Sequence, residues 1–168
     1  MQQATLLENL SRVTKLATAS KWTRLLAHPL KYAHAILHRK LIYATNKKSK
    51  EVKTSTFFGK EMTLLLPAST DIYLTGGKSH SSEIRLAKFL INNLVAEDCF
   101  IDVGAHYGYF TLLAATLVKD KGQVLAFEAS KNTFAILHKN TPVSYTHLRA
   151  HETEADLVCR LLLEKKKK

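Results

Sequence analysis

The sequence predicts an α/β fold, with a short, truncated Rossmann-like parallel sheet preceded by a β-hairpin and a basic helical N-terminal arm. Three observations lead there. The first is the stretch Phe100 to Leu117: Phe100, Ile101 and Val103 form an apolar run suited to a buried parallel strand, Gly104 and Gly108 bracket a tight turn, and Tyr109 to Leu117 is mostly apolar at helical length. The second is its repetition. After a turn at Lys119 to Gly122, a second strand-like run, Gln123 to Phe127, ends in Glu128. The third is charge. Residues 1–50 hold ten Lys or Arg and a lone acid, Glu8, whereas residues 51–141 hold nine basic and nine acidic residues. The basic excess therefore belongs to an N-terminal extension, 1–50, and the incomplete cofactor-binding domain spans 51–141.

From the N-terminus, Leu6, Leu10, Val13 and Leu16 or Ala17 recur at helical spacing. A second helix begins at His28-Pro29 and carries Leu30, Ala33, Ile36, Leu37 and Leu41, with Lys31, His34, His38, Arg39 and Lys40 on its polar sides. The arm is expected to pack as a helical lid with its basic face in water. A basic amphipathic helix also suits an anionic membrane surface or an acidic partner. Nucleic acid is disfavoured, because Trp22, Tyr32 and Tyr43 make no stacking platform by themselves. Asn46 to Lys50 reads as a polar linker. No run of eighteen apolar residues exists, and no compact apolar core follows a charged start, so neither a spanning helix nor a secretion signal is predicted.

Thr54 to Pro67 holds two β-rich runs around Gly59-Lys60, which predicts a hairpin. Thr75 to Lys78 reads as a connector. Ser81 is a candidate N-cap for a helix whose core face is Ile84, Ala87, Leu90, Ile91 and Leu94. Cys99 is expected to be a small buried apolar residue. With no second reliable cysteine, neither a disulfide nor a metal site is predicted, and the reducing cytoplasm is the default compartment, with peripheral membrane contact as an option for the arm. Ser130 is placed to cap a last helix with Phe134 and Leu137 on one face.

The chemistry is read from the turn. A strand running into a glycine turn and a helix N-terminus presents backbone N–H groups to a ligand, and a carboxylate at the tip of the next strand can accept both hydroxyls of a ribose. A dinucleotide needs a central glycine so that the backbone can approach a pyrophosphate. Here His106 stands at that place in Gly104-Ala105-His106-Tyr107-Gly108. S-adenosyl-L-methionine has no pyrophosphate, and its cationic sulfonium and amino acid end suit a carboxylate such as the nearby Asp102. It is the cofactor expected, with NAD or another nucleotide as the alternative. A third class is a non-catalytic membrane or partner adaptor working through the arm.

The run FIDVGAHYGYFTLLAA followed by GQVLAFEASKNTFAILHKN resembles the cofactor half of the FkbM family of S-adenosylmethionine-dependent methyltransferases. That family reads D-V-G-A-N-x-G-Y-x-[ST], then A-F-E-P, then N-F-x-x-L. His106 replaces the usual Asn and Ala129 the usual Pro. The resemblance covers about Thr54 to Asn140. It implies a class I methyltransferase sheet, cofactor contacts at Asp102, Gly104, Ala105, His106, Gly108, Glu128 and Ala129, and methyl transfer to a hydroxyl of a small molecule or glycan. No residue is assigned as catalytic base.

From Pro142 the resemblance stops. VSYTHLRAHET, Val143 to Thr153, is what one frame of a transposon-based sequencing-library adapter encodes, and Leu157 to Lys168 matches its far end followed by a run of A. Residues 142–168 are therefore read as a non-biological tail, and His147, His151 and Cys159 as no metal site. The remainder would supply only the first two strand–helix units of the sheet. Such a chain is expected to leave apolar sheet surface uncovered, to bind the cofactor weakly if at all, and to be prone to aggregate.

Overall fold

The computed structural model describes residues 2–141 and 148–152 and divides the chain between Asn93 and Leu94 into two compact units. The helical arm is thus part of a larger first unit that also takes in the hairpin and the helix after it.

In the first unit, α1 (Gln2–Thr18) buries Leu6, Leu10 and Val13, the stripe the spacing predicts. It packs on α6 (Ser81–Asn93), which buries Ala87, Leu90 and Ile91. Gln3 Nε2 donates to the Ile91 carbonyl at 2.8 Å, and Asn9 Nδ2 to that of Phe57 at 3.1 Å. Ser81 lies inside α6 rather than capping it. The first helical bond runs from Ile84 N–H to the His80 carbonyl (3.0 Å), and His80 Nδ1 meets the Ser82 hydroxyl at 2.7 Å.

The short α2 (Lys21–Ala27) is capped by Ser20, whose Oγ accepts from Thr23 N–H. Next, α3 (Pro29–Leu37) runs through a π-helical turn, His38–Tyr43, into a last helical turn, α4 (Ala44–Asn46), which ends at Lys47 in a left-handed conformation. The orientation of α3 differs from the expected lid. Its Lys31, His34, Ala35 and His38 side faces inward, and Lys31 Nζ donates to Thr54 Oγ1 at 2.9 Å. Leu30 (85 % exposed), Ala33, Leu37 (58 %) and Leu41 form a stripe that faces solvent.

Strands β1 (Lys50–Ser55) and β2 (Glu61–Leu66) form an antiparallel hairpin, with Lys50 opposite Leu66 and Ser55 opposite Glu61. The predicted linker residue Lys50 is therefore already in a strand. Met62, Leu64 and Leu66 alternate into the core, which fixes the register of their charged partner strand. Thr56 closes the loop, its Oγ1 donating to the Lys60 carbonyl and its own carbonyl accepting from Gly59 N–H. Before the Gly76-Gly77 connector stands a helix the sequence reading lacks, α5 (Thr70–Thr75), ended by left-handed Gly76. It is too short to show a period, and Ile72 is its one buried side chain.

The second unit alternates strand and helix: β3 (Cys99–Val103), α7 (Tyr109–Val118), β4 (Gln123–Glu128), α8 (Lys131–Asn140) and β5 (Leu148–Glu152). The strands are parallel in the order β3-β4-β5, with Asp102 opposite Ala126 and Ala126 opposite Ala150. Sequential parallel order of this kind also occurs within each half of doubly wound sheets. The third strand comes from residues assigned above to the non-biological tail. The rest of that tail, 142–147 and 153–168, lies outside the described residues. Helix α7 is buried nearly all round, through Leu112, Leu113, Ala114 and Val118. β3 alternates instead of being buried throughout: Ile101 is 56 % and Val103 78 % exposed. Cys99 shares that exposed face, which corrects the expectation of a buried thiol.

Candidate functional site

The turn between β3 and α7 is held by the tip of β4. Gly104 and Ala105 both donate their N–H to the Phe127 carbonyl, at 2.8 and 3.0 Å, and Gly108 N–H closes back on Ala105 at 2.8 Å. Three backbones in this turn take positive φ: Gly104 at 80°, His106 at 53° and Gly108 at 87°. The first and last are where the sequence places glycine. Yet the two glycines differ in purpose. A Cβ on Gly104 would meet nothing within 4 Å, so the backbone there borders open space. A Cβ on Gly108 would stand 2.7 Å from Leu137 Cδ1, so this glycine lets α7 and α8 approach within the protein. Of the two glycines expected at the cofactor, Gly104 borders open space and Gly108 borders Leu137.

Glu128 joins two segments. Its Oε2 accepts from His106 N–H and its Oε1 from Ser130 N–H, each at 2.9 Å. Ser130 in turn caps α8 by accepting from Thr133 N–H. Each Glu128 oxygen keeps a second lone pair for a further donor. Ala129 is exposed beside it.

Asp102 is mostly buried, and its Oδ2 accepts from the Thr111 hydroxyl at 2.5 Å. Burial pushes its carboxyl above the ordinary range. The Thr111 bonds pull the other way, and the Glu128 charge adds to the rise. Tyr107 is also pushed up, by burial and then by Glu128. Its carbonyl accepts from buried Asn140 Nδ2 at 2.8 Å, tying the turn to the end of α8. The His106 and Tyr107 rings lie against each other, centroids 3.9 Å apart.

Asp102, Gly104, Ala105, His106 and Glu128 therefore converge at the C-terminal ends of β3 and β4, while Gly108 turns into the packing. Two positioning residues escaped the sequence reading. Thr111 was visible as the Ser/Thr position closing the turn pattern, one helical turn inside α7. Asn140 gave no signal beyond being a polar residue at a helix end. Among the described residues, no group of three His, Cys, Asp or Glu side chains is placed to hold a metal. Nor is any described helix long and apolar enough to cross a membrane.

The chain is a mixed α/β protein with small sheets. It is similar in shape to a solved protein-L-isoaspartate O-methyltransferase, with a TM-score of 0.42 and 13 % identity. The match covers 92 % of this chain and 42 % of that one, so the chain spans well under half of that enzyme's length. No protein-family model matches the chain, and no curated protein does.

Proposed function

We propose that residues 51–141 are the first part of an S-adenosyl-L-methionine-binding, class I methyltransferase domain of FkbM type, and that the intact protein methylates a hydroxyl of a small molecule or glycan. Residues 142–168 are, on this reading, translated adapter sequence. The observation that carries the cofactor assignment is the pairing of Glu128 with the β3–α7 turn. In a dinucleotide site the N–H groups of that turn face a pyrophosphate. Here the His106 N–H is already bound to a carboxylate, which would repel one.

The residues present suit the methyl donor. Glu128 has lone pairs free for ribose hydroxyls, and Gly104 borders open space. Asp102 is a buried carboxyl whose ionised form a nearby cationic group would favour. When bound, the cofactor supplies an already electrophilic methyl group. The chain's own contribution is to hold that group and exclude alternatives, so rate would come mainly from alignment with the acceptor.

The test starts with the source DNA, resequenced across the Thr141–Pro142 codons by a different library chemistry. The reading frame found is then expressed and titrated calorimetrically with S-adenosylmethionine and with NAD. Binding of the first alone, weakened at least tenfold by Glu128→Ala, supports the proposal. Binding of NAD, or binding indifferent to Glu128→Ala, removes it.

A further inference from the structure

In the first unit, α2, α3 and α5 surround a cavity of about 210 Å³. Lys21, Arg24, Tyr32, Arg39, Thr70 and Leu74 line it, and no acidic side chain does. Among the described residues, none of its three cations makes a side-chain hydrogen bond or ion pair. Arg24 Nε is buried and has no hydrogen-bond partner there. A buried guanidinium N–H without an acceptor is costly, and three like charges around one concavity raise the cost further. Both terms are relieved by the same thing, an anion with several acceptor oxygens.

We propose that this cavity is a binding site for a phosphate group, gripped by Arg24 and Arg39 with Lys21 at its mouth. Guanidinium forks match tetrahedral oxyanions, and the Tyr32 hydroxyl adds a donor. The helices that line the cavity also carry the exposed apolar side chains Trp22, Leu26, Leu30 and Leu37. The phosphate therefore has two possible sources, a soluble phosphorylated compound or the headgroup of an anionic phospholipid on which that apolar surface rests. This site is independent of the methyl-donor reading, since it uses no residue of that turn.

Two arms with the full chain separate the sources. One follows the unfolding midpoint with increasing inorganic phosphate, against chloride at equal ionic strength. The other follows co-sedimentation with phosphatidylcholine vesicles with and without phosphatidylglycerol. A midpoint raised by phosphate indicates a soluble ligand. Co-sedimentation confined to the phosphatidylglycerol vesicles indicates a headgroup. In either case Arg24→Gln/Arg39→Gln should weaken binding at least tenfold, Arg24→Lys, which keeps the charge but loses the fork, should weaken it severalfold, and Lys47→Gln/Lys48→Gln should leave it unchanged. Trp22→Ser/Leu26→Ser should affect the vesicle arm alone. No response in either arm, or a response as sensitive to the Lys47/Lys48 variant as to the arginine pair, overturns the proposal.

Discussion

Helices α1 and α3 have the same raw material and opposite orientations. Both are amphipathic, and both belong to the basic arm. In α1 the apolar stripe Leu6, Leu10, Val13 is buried and the Glu8–Arg12 pair (2.7 Å) lies in water. In α3 the apolar stripe faces water, and the polar side packs on the hairpin and α5. Lys31 reaches Thr54 and lies 5.3 Å from the Tyr73 ring centroid, and His34 bridges Tyr73 and Lys50. Amphipathicity says that a helix has two faces. It does not say which is turned inward when other groups compete for the inward place. Along this stretch Leu30, Leu37 and Leu41 are exposed while Lys31 and His34 are half-buried and His38 is buried.

The largest effect should come from truncating the two stripes in parallel. Leu10→Ala should cost about 2–5 kcal/mol in urea unfolding, whereas Leu37→Ala should stay within about 0.5 kcal/mol. Equal costs would erase the contrast.

The same inward and outward difference recurs at the two glycines of the second unit. Gly108→Ala meets both the left-handed backbone and Leu137, and should cost about 2 kcal/mol or more. Gly104→Ala meets only the backbone term, about 1–2 kcal/mol, and its added methyl would point into the space proposed for the cofactor. Unfolding midpoints for both, with cofactor titration of Gly104→Ala, check this.

His38 sharpens the comparison from the other side. It is 2 % exposed, and neither ring nitrogen has a hydrogen-bond partner among the described residues. His38→Leu replaces an unsatisfied buried ring by an apolar side chain and should stabilise the protein by about 1 kcal/mol. A loss of stability would show that the imidazole is satisfied after all.

The smallest effects are in pH. Because the Lys50 ammonium can only donate, His34 Nε2 must accept and Nδ1 must donate to Tyr73. Burial first, then Lys50 and His38, hold its pKa below the ordinary histidine value. The unfolded chain therefore takes up this proton first on acidification. Stability from this contact is present above about pH 6.5 and is lost as pH falls through that value toward the folded pKa. Asp102 has the opposite sign. Its folded pKa is raised, so its contribution declines as pH rises from the unfolded carboxylate value, about 3.9, through the folded one. Urea midpoints across pH, for the wild type against His34→Gln and Asp102→Asn, should flatten in the respective window.

Several of these features were legible because a local rule and the fold agreed. Gly104 and Gly108 were found as turn glycines, and both adopt positive φ. Ser130 was found as a cap and caps α8. The α1 stripe was found by period and is buried. Elsewhere local rule and fold part. Lys50 and Glu51 are weak strand formers, yet they lie in β1 because Leu64 and Leu66 anchor the partner strand. Cys99 sits in an apolar run but on the exposed face of its strand.

The sequence alone determined the alternation of strand and helix, the turn between β3 and α7, the acid at the tip of β4 and the basic arm. These follow from backbone preference and from periods that need no knowledge of neighbours. Only the tertiary structure decided that Glu128 binds the His106 and Ser130 backbones, that Gly108 serves helix packing while Gly104 borders open space, and that α3 turns its leucines outward. Each depends on which groups from distant parts of the chain compete for the same place, and that competition is settled by packing and hydrogen bonding rather than by local propensity.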